Sequence, residues 1–158
     1  MSDTMTIIIT GANRGIGLAL VQHFATKPPA TPLAIYACVR NPSSMPSVRS
    51  EQGVTVHPTQ LDVSDASAIK GFANEVKAAH KEGVDIVINN AGVNYTGSED
   101  SKDKSKFAVA ANLNSQFEMT RAFSPLMRRP GRSELGGTSR IVNLSSNASG
   151  LQSGPFGS

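Results

Sequence analysis

The sequence has little charge and almost no cysteine. Of its 158 residues, 17% are charged and 39% are hydrophobic, a balance that supplies a core and excludes a disordered chain. The single cysteine, Cys38, excludes an internal disulfide. It sits in the apolar run LAIYACV, where a small core residue is the expected role and a reactive thiol the alternative. The net charge of +3 comes without a block of Lys and Arg. The densest basic stretch, RRPGRSE from Arg128, is short and interrupted. It reads as a solvated loop and not as a nucleic-acid surface. The N-terminal MSDTMTIIIT lacks the basic region of a signal peptide. No stretch has the length of a membrane span, and no His, Cys and Asp cluster has the spacing of metal ligands. These absences point to a soluble cytoplasmic protein with no metal, nucleic-acid or membrane partner. Repeats and linkers are also missing, so residues 1–158 read as one domain.

What is present is an alternation. TIIIT, Thr6 to Thr10, is apolar and β-branched, as a strand buried on both faces requires. IGLALVQHFAT follows, with Ile16, Leu20, Val21 and Phe24 at helical period. KPPATP breaks that helix. LAIYACV is a second strand. RNPSSMPSVRSEQG is polar and carries two prolines, so it is loop or a poor short helix. VTVHPTQLDV reads as a third strand, with Pro58 an awkward member. Ser64 is the expected N-cap of the next helix, with Asp65 in its first turn. Ile69, Phe72, Ala73 and Val76 form that helix's buried face, and Gly83 its end. VDIVINNAG is a fourth strand running into a turn. A polar loop leads to a long helix that includes Phe107, Ala111, Asn114, Phe117 and Phe123 and ends near RRPG. RIVNLSS is a fifth strand. Strands separated by crossovers predict an α/β fold, a Rossmann-like doubly wound parallel sheet.

The first turn, TGANRGIG, lies between a buried strand and an amphipathic helix. Gly11 permits a tight exit from the strand, Gly15 a close approach of backbone to phosphate, and Gly17 close packing of the helix. Free N–H groups and the dipole at the helix start favour an anion. The spacing is G-x-x-x-G-x-G and not the commoner G-x-G-x-x-G.

TGANRGIG with NNAG downstream, LDVSD after the third strand and RIVNLSS at the fifth resembles the short-chain dehydrogenase/reductase family over essentially the whole chain. The resemblance implies cofactor contacts from Gly11, Asn13, Arg14, Gly15, Ile16 and Gly17. It places Asp62 beside the adenine. It gives Asn90, Ala91 and Gly92 the cofactor's ribose and a part in steadying the sheet. The end of the second strand bears on which cofactor. A carboxylate there accepts from a ribose 2′-hydroxyl, whereas arginine meets a 2′-phosphate. Here the strand ends CVRN, with Arg40 and no acid nearby. Arg14 is a second guanidinium able to offer paired donors. NADP(H) is therefore the expected cofactor.

The family moves hydride between nicotinamide and a carbonyl or alcohol carbon, so a small-molecule carbonyl or alcohol is the implied substrate. Its acid/base is a tyrosine whose pKa is lowered by a lysine, since a phenol near pKa 10 needs cationic neighbours to work at neutrality. A serine holds the substrate oxygen and an asparagine on the long helix holds a water. Asn112 matches that asparagine, with Asn114 its rival. Ser146 matches the serine, with Ser145 the runner-up. The tyrosine of the family's Y-x-x-x-K falls immediately past Ser158. Tyr36 and Tyr95 are followed four residues on by Arg40 and Glu99, and His23, His57 and His80 lie in no motif. In the last residues, LQSGPFGS, Gly154, Pro155 and Gly157 are turn-formers, and the stretch reads as the interior of a loop. The expectation is a chain ending before its proton donor, with the fifth strand left as an apolar edge and stability poor. Turnover is then not expected of these residues alone. A non-catalytic nucleotide-binding remnant or partner-binding protein is the alternative. Oligomers, common in the family through the long helix and its neighbour, are not expected of these residues.

Overall fold

The side chains of Ile7, Ile8 and Ile9 are fully buried, and they divide between two cores. The computed structural model describes residues 4–27, 31–92, 110–127 and 139–145. Strand β1, Met5–Thr10, pairs in parallel with β2, Leu33–Val39, and with β4, Ile86–Asn89. β2 also pairs with β3, Val54–Gln60, and β4 with β5, Arg140–Asn143, all in parallel. Among the described residues the sheet has five strands in the order β3-β2-β1-β4-β5, the doubly wound arrangement expected from the alternation.

Helix α1, Gly15–Ala25, covers one face. There Ile7, Ile9, Val21, Ala25 and Ile35 pack together. Helix α2, Ala66–Ala79, and helix α3, Ser115–Phe123, cover the other. Ile8, Ile69, Phe72, Val76, Met119 and Phe123 pack there, with the rings of Phe72 and Phe123 5.6 Å apart. Alternation of side chains along β1 feeds both layers. Each fully buried aliphatic or aromatic side chain contributes about 1.5–3 kcal/mol relative to exposure. Cys38 belongs to the second core at 1% exposure. Burial pushes its thiol pKa well up, the behaviour of a packed residue and not of a nucleophile.

Several boundaries differ from the sequence reading. Ile16 is 66% exposed, while Val21 is buried as expected, together with Gly17 and Ala25, and Leu20 and Phe24 pack partly buried against the core. Asp65, not Ser64, caps α2, its Oδ1 accepting from the N–H groups of Ser67 and Ala68 at 2.8 and 3.2 Å. Asp62 has already taken the Ser64 N–H and hydroxyl at 2.9 and 2.7 Å. α2 ends at Ala79, with His80 as its C-cap donating to Val76, before Gly83 is reached. β3 stops at Gln60. Pro58 stays in it, facing Ala37. β3 has one neighbour among the described strands, and an edge strand tolerates a residue without an N–H. The loop after β2 contains a single 3-10 turn, Pro42–Ser44. The long helix opens with a π turn, Ala110–Asn114, and ends at Phe123, where Ser124–Leu126 tightens into a 3-10 turn holding Pro125. Phe117 is 64% exposed and is no core residue. Phe107 lies outside the described residues. β5 is the terminal described strand and ends at Asn143, ahead of the two serines.

Candidate active site

The strand order reverses between β1 and β4, and in open α/β sheets ligands bind in the crevice at such a switch, beyond the carboxyl ends of the strands. A cavity of about 720 Å³ occupies that place. The glycine turn after β1, the residues after β2, Asp62 after β3 and the Asn90–Gly92 turn after β4 all line it.

The glycine turn is built by contact. Gly11 has φ +66° and Gly15 φ +55°, values that side chains other than glycine's rarely adopt. A Cβ on Gly17 would run into the Gly11 carbonyl and come within 2.5 Å of Asn90 Nδ2. A Cβ on Gly11 would lie 2.9 Å from Ala91 Cα. The start of α1 thus packs on the turn itself and on the end of β4. Gly15 meets nothing within 4 Å, so its backbone is open to the cavity. Arg14, the N-cap of α1, makes no side-chain capping bond, and the first turn holds no acid. The N–H groups there are left for an anion.

Asn90 and Thr10 lock β4 to β1. Asn90 Nδ2 donates to the carbonyls of Thr10 and Gly11 at 2.9 and 3.1 Å. The Thr10 hydroxyl accepts from the N–H groups of Asn90 and Ala91 at 3.0 and 2.9 Å. Beside them, Asn89 Nδ2 donates to Asn143 Oδ1 at 2.7 Å across β4 and β5. Asn89 is 2% exposed.

Arg40 and Asn41 leave β2 into the cavity wall, both exposed. Asn41 Oδ1 accepts from the Ser43 N–H at 3.1 Å. Ser44 Oγ donates to the Asn41 carbonyl at 2.7 Å and accepts from Asn13 Nδ2 at 3.1 Å. Across the cavity, the two Ser64 hydrogen bonds hold the Asp62 carboxyl below the usual carboxylate range, and the Arg40 charge acts in the same direction.

The catalytic candidates sit at the same end of the sheet. Asn112 lies in the π turn, a distortion frequent at functional sites. A Cβ on Gly92 would meet Asn112 Oδ1 at 3.2 Å, so the Asn112 side chain reaches the cavity-lining turn after β4. Asn114 is the backbone N-cap of α3 and makes no capping bond with its side chain. Ser145 is exposed two residues beyond β5. Its neighbour Leu144 is held by its N–H to Asn89 O at 3.0 Å and by Gln116 Nε2 to its carbonyl at 3.3 Å. Ser146 and Tyr95 lie outside the described residues. Tyr36 is absent from the cavity lining. Its hydroxyl is 2.8 Å from His80 Nε2, its ring stacks on His57, and His80 Nδ1 is 3.1 Å from the Thr6 hydroxyl. Burial pushes the Tyr36 pKa up. Among the described residues no group of three His, Cys, Asp or Glu could hold a metal ion, and no helix is long and apolar enough to cross a membrane.

Sequence reading missed Thr10, Asn41, Ser44 and the Asn89–Asn143 pair. NPSS carried a usable signal, since Asn before Pro-Ser-Ser is a capping pattern. The two cross-strand asparagines lie in NNAG and RIVNLSS, but neither stretch reveals that they pair.

Comparison with known proteins agrees with this geometry. The chain is 31% identical over 147 residues to the uncharacterized oxidoreductase YxbG of Bacillus subtilis (strain 168), a match covering 91% of this chain and 50% of that protein. It thus spans about half the length of that curated relative. A short-chain dehydrogenase structure from Novosphingobium aromaticivorans superposes with a TM-score of 0.71 and 28% identity over 99% of this chain and 58% of the other. NADPH-bound carbonyl reductase from chicken fatty liver superposes with a TM-score of 0.68 and 25% identity over 92% and 60%. The family model described as short chain dehydrogenase matches residues 5–158, and the chain belongs to that family of oxidoreductases.

Proposed function

We propose that this chain binds NADP(H) and forms the cofactor-holding part of an oxidoreductase acting on a carbonyl or alcohol. The observation that carries the reading is the end of β2, where Arg40 and Asn41 line the cavity and no carboxylate follows the strand. A guanidinium there favours a 2′-phosphate, and a ribose 2′-hydroxyl is left without its usual acceptor. The residues present suit the group. The glycine turn offers uncapped N–H groups at the start of α1 to a pyrophosphate. Gly15 leaves room for it, and 720 Å³ lies within the usual range of about 300–1,000 Å³ for ligand pockets. The NADPH-bound relative supports the same choice.

When bound, the nicotinamide supplies the hydride donor or acceptor. The chain's own residues bind and orient. Asp62 accepts at the adenine end, and Asn90 holds the wall between β1 and β4. Asn112 positions water, and Ser145 or Ser146 the substrate oxygen. A second reading, a nucleotide-binding chain without turnover, is favoured by Tyr36. The 158 residues contain no Tyr-x-x-x-Lys pair. Tyr36 hydrogen-bonds His80, outside the cavity lining, and its pKa moves away from neutrality, opposite to what an acid/base requires. These residues alone are therefore expected to hold cofactor and to leave carbonyls unreduced. The test mixes the purified chain with NADPH and a panel of aldehydes and ketones. Saturable NADPH binding without carbonyl-dependent oxidation supports the reading. Absence of binding refutes the cofactor assignment, and reduction at an ordinary enzymatic rate refutes the missing-donor account.

A further inference from the structure

We propose that Ser44 is a positioning residue for cofactor choice: the hydrogen-bonded strap Asn13–Ser44–Asn41 holds Arg40 where it discriminates a 2′-phosphate from a 2′-hydroxyl. This rests on the NADP(H) reading and goes beyond it to a residue outside both the glycine turn and the strand end.

Arg40 is a single exposed residue between two anchored points. Before it, the Cys38 carbonyl accepts from the Ala12 N–H at 3.2 Å and the Val39 carbonyl from the Leu61 N–H at 2.8 Å. These bonds fix the end of β2 to the glycine turn and to the end of β3. After it, the chain turns at once through Pro42–Ser44. Ser44 closes that turn on Asn41, through its N–H at 3.0 Å and its hydroxyl at 2.7 Å. The same hydroxyl receives Asn13 Nδ2 at 3.1 Å. The glycine turn therefore holds the segment twice, at Cys38 by backbone and at Ser44 by side chain, with Arg40 in the loop between. Asn13, Arg40, Asn41 and Ser44 all line one cavity.

The Ser44 hydroxyl is engaged as donor and acceptor at once, so alanine removes both hydroxyl links, the one to Asn13 included, and keeps the Ser44 N–H bond to the Asn41 carbonyl. The backbone anchors at Cys38 and Val39 remain, and Ser44 is exposed, so the fold has no reason to fail. What is lost is the pre-organisation of the Arg40 loop, and ordering a loop on binding subtracts from affinity. Only a ligand that uses Arg40 feels that loss. NADPH does, through its 2′-phosphate, and NADH does not.

The experiment titrates the full chain and the variants Ser44→Ala and Ser44→Thr with NADPH and with NADH, following nicotinamide fluorescence. The expected result is a rise in the NADPH Kd of about three- to tenfold for Ser44→Ala, the size of one or two lost hydrogen bonds. The NADH Kd stays unchanged, and Ser44→Thr, which keeps the hydroxyl, restores NADPH binding. Unchanged affinities in Ser44→Ala, or equal losses for both nucleotides, overturn the inference while tight NADPH binding by the parent chain leaves the cofactor reading standing. A parent chain that binds neither nucleotide, or prefers NADH, overturns the cofactor reading and this inference with it.

Discussion

Asn90 and Thr10 hold each other by both backbone and side chain. The Asn90 amide donates to the Thr10 carbonyl at 2.9 Å, and the Thr10 hydroxyl accepts from the Asn90 N–H at 3.0 Å. Thr10 ends β1 and Asn90 follows β4, the two strands that flank the reversal in strand order. The pair therefore ties the two strand ends together beside the crevice in which the cofactor is proposed to lie. Thr10 is 2% exposed. Thr10→Val keeps the shape and leaves the Ala91 N–H without its acceptor, while the Asn90 N–H keeps the Ile88 carbonyl at 3.1 Å. Denaturant unfolding should show a loss of about 1–3 kcal/mol, the cost of one polar group left unpaired. A loss within experimental error would show that the clamp is dispensable.

Gly17 and Gly15 should respond differently to alanine. At Gly17 the new methyl meets the Gly11 carbonyl and Asn90, so the turn must open and nucleotide binding should be lost with it. At Gly15 the methyl meets no protein atom, so the fold bears only the positive φ of +55°, about 1–2 kcal/mol, and the methyl itself narrows the room left for the pyrophosphate. Thermal melts with and without NADPH separate the two. Wild-type-like cofactor binding by Gly17→Ala would contradict the packing described.

Arg40→Glu places a carboxylate where NAD sites carry one. NADPH affinity should fall about tenfold or more, the scale of a charge-assisted hydrogen bond, while NADH affinity holds or improves. Equal changes for both nucleotides would detach Arg40 from the 2′ position.

Tyr36 gives a pH signature. Burial, with smaller contributions from Cys38 and Glu75, raises its pKa above the ordinary 10.0, so the folded chain retains the phenol proton after the unfolded chain has lost it. This stabilisation is complete below pH 10.0 and is lost as pH rises from there through the folded pKa. Tyr36→Phe should remove that part of the alkaline decline while costing about 0.5–1.5 kcal/mol at neutrality for the His80 bond. Parallel stability curves for the two proteins up to the alkaline limit would refute the assignment.

The fold was legible because its strands and helices are written in period. TIIIT and LAIYACV have one reading in a parallel sheet, and TGANRGIG and NNAG are local patterns whose chemistry is local. What escaped depends on competition between neighbours. Ser64 and Asp65 are both good caps, and the choice fell to Asp65 because Asp62, two residues back, engages Ser64 first. The long helix looked continuous because its composition does not reveal a π turn at Ala110–Asn114; the tightening at Ser124–Leu126 did have a signal, Pro125, a helix breaker. The links from Asn13 to Ser44 and from Asn89 to Asn143 span 31 and 54 positions. Only the crossing of strands brings such residues together.

Paired titrations of the chain with NADPH and NADH measure the proposed choice of nucleotide at the end of β2. Saturable binding is predicted, with NADPH the tighter ligand by about tenfold or more, as an arginine–phosphate contact implies. Equal affinities, tighter NADH, or no binding of either would contradict it.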